Sequence, residues 1–284
     1  MENKTFTKIR SIIFQLALFF LALLLPAFKF DFDISTILTV VTLLFTILVG
    51  FFIAAATSNY LRLQTIISDE DASLISLFGL VKILQPAMVK KIRNSIDKYM
   101  IAALDYGLLD YSEYTSGEVD ALLNTIDEVT PTKKHTESLI QNLHNIKVNI
   151  ISIRQEMAVL IKRIVTARHW FILVSLAAII SVILLSLRSG NIITSSLIGL
   201  IMITLYQTLR LLHQIDSNLF LASQLAYEVP QKVFLAIGQL RYYPEYALSR
   251  KIKKALKNER YRVGLYKNFP ETMEKKIKIV KPSK

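Results

Sequence analysis

Residues 47–74 read ILVGFFIAAATSNYLRLQTIISDEDASL, an uncharged apolar half followed by an acidic, water-facing half with no proline between them. Nothing in that order breaks a helix, so one helix is expected to carry both halves. The uncharged part extends back to Ile34, which makes Ile34–Asn59 a run of twenty-six residues without charge. At 1.5 Å per residue, such a run crosses a hydrocarbon layer of about 30 Å with length to spare. The segment LRLQTIISDEDASLISLFGLVKIL then continues it into water.

Working outward, three more segments pass the same length test. Ser11–Phe28 and Trp170–Leu187 each hold eighteen residues with no charge, and Asn191–Gln207 stays apolar as far as Leu212 with Arg210 as its one cation. A chain that is 52% hydrophobic, with mean hydropathy +0.42, supports a membrane class over a soluble one. The first segment follows Lys4, Lys8 and Arg10 as the core of a secretory signal would, but LLLPAFKFDFD offers no small-x-small cleavage site, so a retained helix is expected. Cations gather at the amino terminus, in the loop between the second and third spans and after Gln214, while the connections KFDFD and RSGN hold one each. By the excess of Lys and Arg on the inner side, both termini and the long loop are expected to be cytoplasmic.

These segments predict an all-α membrane protein with four transmembrane helices, two plus two, around a long cytoplasmic helical insert. The expected order is an N-terminal segment 1–10, a first pair of spans within 11–59 (11–28 and 34–59), a helical region 60–169, a second pair within 170–212 (170–187 and 191–212), a helical segment 213–244 and a basic tail 245–284. Inside the insert, Pro86 suits a first helical turn, and Thr115 or Ser116 can cap the helix after it. Leu139, Leu143, Ile146, Ile150, Ile153, Met157, Leu160 and Ile164 then alternate steps of four and three, the narrow seam of side-by-side helices. That seam packs either inside the chain or between subunits. With no breaker before Trp170, one rod is expected from about Thr132 to Leu187. The tail from Glu245 carries thirteen Lys and Arg against four Glu, a net of +9 out of the chain's +12, and reads as a solvated segment near anionic headgroups. No module presents this charge to a nucleic-acid groove.

Much chemistry is excluded by what the chain lacks. Eight glycines, no two within four positions, rule out a phosphate-binding GxxxxGK[ST] loop and a GxGxxG fingerprint. Zero cysteines exclude disulfides and thiolate sites, and the four histidines show no paired metal-ligand spacing, so neither a metal nor a cofactor is expected. The second span offers no ionisable group for catalysis or ion coupling at depth. Passive conduction or a structural role remains, and an enzyme is not expected. Leu43, Ile47 and Phe51 stack at i, i+4 and i+8, a face that can meet lipid, a neighbouring helix or a pore.

GFFIAAATSNY resembles the glycine, phenylalanine, aromatic sequence that closes the second span of bestrophin channels. SDEDASLISLFGLVKILQPAMVKKIRNSIDKYMIAAL is similar to the post-span segment of the bestrophin-like family, and LLHQIDSNLFLASQ resembles the position of the bestrophin asparagine-proline-phenylalanine turn, here without its proline. The likeness covers about residues 30–240. It implies a homo-oligomeric channel in a bacterial inner or plasma membrane, a pentamer in which the second spans line a pore for inorganic ions, chloride-like anions first. Carried over by position, the neck is Leu43, Ile47 and Phe51, with Gly50 allowing close packing beside the aromatic ring. A lower constriction falls at Ile146, and Asp69, Glu70 and Asp71 are candidate vestibule charges that would draw cations if they face inward. Phe51 and Phe52 could favour anions through their ring edges. Calcium-controlled bestrophins follow the fourth span with a carboxylate run; only Asp216 and Glu228 stand there, so no calcium clasp is expected. A cation-selective member of the same family, or a non-conducting scaffold that recruits partners through the heptad helix and the tail, is the alternative.

Overall fold

The computed structural model describes residues 4–24, 34–130, 137–187, 191–217, 225–248, 250–267 and 274–281. Its elements run α1 (Lys4–Leu24), α2 (Ile34–Leu84), α3 (Val89–Tyr114), α4 (Ser116–Asp127), α5 (Glu137–Leu160), α6 (Ala167–Ser186), α7 (Ile192–Asp216), α8 (Leu225–Glu228), α9 (Gln231–Ala236), β1 (Tyr242–Pro244), α10 (Arg250–Ala255), β2 (Tyr261–Tyr266) and β3 (Lys275–Val280). The fold is mostly helical, as the hydrophobic periodicity demands. The helices α2, α6 and α7 are long and apolar enough to cross a membrane, whereas α1 contributes the shorter apolar stretch Arg10–Leu24. The end of the expected first span, 25–28, lies outside the described residues. Two compact units result, Met1–Tyr60 with Arg163–Ser217 and Leu61–Lys162 with Asn218–Lys284.

In the first unit, α1 lies antiparallel along α7. A Cβ added to Gly199 would sit 2.8 Å from the Phe19 ring, so the small residue is what lets the two backbones approach, with Ala22, Ile198 and Met202 buried beside it. The expected rod from Thr132 to Leu187 is not formed. Helix α5 ends at Leu160 and α6 begins at Ala167, with Thr166 as its N-cap and Thr166 N–H donating to His169 Nδ1 at 3.3 Å. Between them, Asp216 Oδ1 accepts from the backbone N–H of Ile164 at 2.9 Å and of Val165 at 3.0 Å. The carboxylate supplies acceptors that a continuous helix would have found in its own preceding turn.

The second unit is built around α3. Helix α2 ends at Leu84, a 3-10 turn at Pro86–Met88 re-aims the chain, and α4 and α5 pack against α3. Four of the eight seam residues, Leu143, Ile150, Ile153 and Met157, are buried inside this unit, and the other four are half-buried. Thr115 takes the N-cap position of α4 without capping through its side chain; its hydroxyl accepts from Arg154 Nη1 at 3.1 Å instead.

The expected solvated tail is corrected in this unit. Residues 242–280 contribute a three-stranded sheet in the order β1-β2-β3, with β1 parallel and β3 antiparallel to β2. Strand β2 is closed on both faces. Tyr261 and Val263 join Tyr243, Ile252 and Leu256 in an apolar cluster, while Arg262 on the other face forms a bidentate pair with Asp97 of α3 at 2.8 and 2.6 Å. Beside that pair, Asp105 of α3 is fully enclosed and accepts from Tyr242 at 2.7 Å, from Tyr266 and from Lys275. Burial pushes the Tyr242 phenol up to about 12 and Tyr266 higher still, so both remain donors to the carboxylate at neutral pH. Helix α9 ends in a left-handed turn at Gly238 (φ 73°), with Gln239 N–H returning to Phe234 C=O at 2.8 Å and Gly238 N–H to Leu235 C=O at 3.1 Å. That turn delivers Tyr242 to the sheet.

Two glycines of this unit should respond oppositely to alanine. A Cβ on Gly264 would overlap the Tyr242 hydroxyl that holds Asp105, so Gly264→Ala is expected to cost about 1–3 kcal/mol as overpacking. Gly79, inside α2, has open space where an alanine methyl would stand, with nothing within 4 Å, so Gly79→Ala should gain about 0.5–1 kcal/mol. Thermal melts of the two purified variants check this, and a Gly264→Ala protein as stable as its parent would refute the overlap.

Candidate pore-lining face of the second helix

Along its uncharged part α2 has two faces. Phe45, Val49, Phe52 and Ala56 recur at steps of four, three and four and are buried against Leu173, Ala177 and Ile180 of α6 and Leu212 of α7. The opposite face carries Leu43 (58% exposed), Ile47 (58%) and Phe51 (64%), stacked one turn above another and left largely uncovered by the other described residues. Three residues named from the sequence thus share one free apolar face. Gly50 lies beside them, but a Cβ added to it meets nothing within 4 Å, so its smallness serves no contact among the described residues.

Phe52 separates from Phe51. Its ring is buried and packs 4.8 Å from the His169 imidazole, while Phe51 makes a tilted edge contact with it at 5.5 Å and 70°. Of the two rings expected to offer their edges, Phe52 is enclosed within its own unit and Phe51 is left exposed. His169 is held at the start of α6 through its bond to Thr166, and the neighbouring Trp170 meets His213 edge-on at 5.7 Å.

In the second unit, the acidic triplet does not act as one group. Asp69 is exposed, but Glu70 and Asp71 are 5% and 7% exposed and turn into the unit's interior. Glu70 accepts from the Tyr99 hydroxyl, which itself accepts from Arg154 Nη1 at 3.0 Å, so a cation is relayed to the carboxylate through a phenol. Asp71 Oδ2 is buried without a hydrogen-bond partner among the described residues. Burial first, then the Glu70 carboxylate, push its pKa up to about 8 against a lowering pull from Lys232. Ile146 is half-buried on α5, between the buried Leu143 and Ile150. No sequence pattern announces the Glu70, Tyr99 and Arg154 chain, whose successive links span 29 and 55 positions.

With this geometry in place, comparison with known proteins is specific. A family model described as Bestrophin-like domain matches residues 13–214. Among solved structures, the chain is similar to a bacterial bestrophin homologue from Klebsiella pneumoniae, with TM-score 0.63 at 11% identity over 81% of this chain and 98% of that one. A single-substitution variant of that homologue matches with TM-score 0.63 at 13% identity, over 84% and 100% of the two chains. At such identities the likeness is one of fold. No curated protein matches the chain.

The two phenylalanines should part on mutation. Phe52→Ala is expected to lose about 3–5 kcal/mol of stability, because it empties a packed site, and Phe51→Ala far less; melting in detergent decides, and equal losses would contradict the two-face reading. Asp71 predicts a pH effect. Its folded pKa lies above the unfolded value, so the stability it adds is complete at pH below about 4 and is lost as pH rises through about 8. Asp71→Asn should therefore gain on the parent in melting temperature between pH 5 and pH 8, and a constant difference over that range would show that the carboxyl is ionised throughout.

Proposed function

The chain belongs to the bestrophin-like family, and from that premise we propose that it assembles as a homo-oligomer, five subunits in our reading, and conducts inorganic ions through a pore walled by α2. Bestrophins are ion channels. The observation that carries the proposal is the uncharged stretch of α2 that buries one face in its own chain and leaves Leu43, Ile47 and Phe51 bare in register. A ring of such side chains, one set from each subunit, makes a narrow apolar neck. Water is held poorly there, and an ion must shed part of its shell to enter, so weakly hydrated ions pass best.

Anions are the favoured class. The edge of the exposed Phe51 ring carries partial positive charge, and the inward turn of Glu70 and Asp71 leaves Asp69 as the one exposed carboxylate of the triplet that would otherwise attract cations. A second constriction at Ile146 on α5 belongs to the same reading. So do cytoplasmic termini, a four-span topology in a bacterial inner or plasma membrane, and the absence of catalytic chemistry.

Purified protein in planar bilayers tests the proposal. Currents whose reversal potential follows chloride in a salt gradient are expected, and the double variant Ile47→Ala/Phe51→Ala should raise the conductance or hold the channel open by widening the ring. Silence across several salts and voltages would favour the scaffold, a reversal potential following sodium would favour the cation-selective alternative, and unaltered currents from a well-assembled double variant would remove these residues from the neck.

A further inference from the structure

Arg210 is the one charged residue in the apolar run of α7, and the way it is held is unusual for a cation at that depth. From the start of α7 at Ile192 the helix rises about 27 Å to reach it, at 1.5 Å per residue. That is close to the full thickness of a hydrocarbon layer, about 30 Å, which places the guanidinium at the headgroup level opposite to Ile192. Its Nη1 donates to Ser11 Oγ of α1 at 2.6 Å, and the Tyr206 hydroxyl reaches the same oxygen at 3.3 Å. The partner of the guanidinium, Ser11, is neutral. Among the described residues no carboxylate pairs with Arg210, although a guanidinium offers five N–H donors.

Beside Arg210 lies an open groove of about 480 Å³, lined by Thr204, Gln207, Thr208, Arg210, Leu211 and Gln214. Thr204 and Thr208 hydroxyls bond back to the carbonyls of Leu200 and Thr204, each at 2.9 Å, so they satisfy the helix rather than one another. The carboxamides of Gln207 and Gln214 add neutral N–H donors. Toward the other end of α7 the exposed surface changes character: Leu197, Leu200 and Ile201 are uncovered and lead to Thr204 at helical spacing. One face of the helix therefore runs from apolar to polar and ends at a cation whose hydrogen-bond partner among the described residues is the neutral Ser11 hydroxyl.

We propose that this groove holds the phosphate headgroup of an anionic phospholipid, with Arg210 as its charge partner, Gln207 and Gln214 as neutral donors, and its acyl chains lying along Leu197, Leu200 and Ile201. The apolar continuation selects a lipid over free phosphate, which would leave that stripe without an occupant. Bidentate geometry explains arginine at this position, since a planar guanidinium matches two phosphate oxygens at once. The site is separate from the face of α2 proposed to line the pore, and it stands whether or not the protein conducts.

Native mass spectrometry of the full chain in detergent tests it, with phosphatidylglycerol, phosphatidylcholine and inorganic phosphate as probes, at about 0.5 M salt to screen exposed lysines. The parent is expected to retain phosphatidylglycerol over phosphatidylcholine, and Arg210→Gln to weaken that retention on the order of tenfold, the effect of one charge-assisted hydrogen bond. Arg210→Lys should keep part of it. If Arg210→Gln does not fold, Gln207→Leu, which leaves the Ser11 contact intact, is expected to reduce phosphatidylglycerol retention by a smaller factor. Equal retention of the two lipids by the parent, undiminished phosphatidylglycerol binding in a folded Arg210→Gln protein, a Gln207→Leu protein that binds like the parent where that variant must decide, or displacement of the lipid by millimolar inorganic phosphate would each overturn the proposal.

Discussion

Exclusion of charge from hydrocarbon governs the first unit more than any packing preference does. From Ile34, α2 runs without a charged side chain until Arg62, and several of the polar groups that the unit contains are tied internally. Thr39 returns its hydroxyl to the Ser35 carbonyl at 2.9 Å, the amides at the α5–α6 break end on Asp216, and Arg210 is anchored on Ser11. Such bonds matter where water cannot substitute for a missing partner. The apolar side chains, by contrast, are left free on one face of α2, the face proposed above to wall the pore.

The second unit works under the opposite rule. It buries charge and compensates it, through Asp97 with Arg262, Asp105 with Lys275 and two phenols, and Glu70 with Arg154 by way of Tyr99. Buried pairs of this kind add little net stability over apolar packing of the same shape, but breaking one leaves an uncompensated charge. They fix which residues meet. A sheet with a strongly basic strand can close on α3 in one register because its cation and phenols must find two carboxylates spaced two helical turns apart.

Helical class, the long α2 and the buried seam of α5 are legible because each follows from a period that the sequence displays over many residues. The break at 161–166 is not, since no glycine or proline marks it and its stabilising carboxylate stands some fifty positions away at Asp216. The tail misleads through composition: the lysines of KKIKIV suggest solvated charge, while their alternation with Ile is a strand signal in plain view. At the candidate site, the stacking of Leu43, Ile47 and Phe51 on one face follows from helical spacing alone. The division between Phe51 and Phe52 depends on which side α6 and α7 cover, and the separation of Asp69 from Glu70 and Asp71 depends on Tyr99 and Arg154, which no local pattern links to them.

The pairing of α3 with the sheet also sets an order of events during synthesis. Asp97 and its partner Arg262 are 165 positions apart, and the candidate spans α6 and α7 are encoded between them. At about 5–20 residues per second, α3 leaves the ribosome roughly 8 to 33 seconds before the strand that neutralises it. For that interval Asp97 and Asp105 remain hydrated, and the surface that will receive the sheet is open to water or to whatever attends the nascent chain. Closure of the second unit is thus timed to follow translation of the membrane segments, so that the unit cannot lock before the helices that anchor the chain have been made.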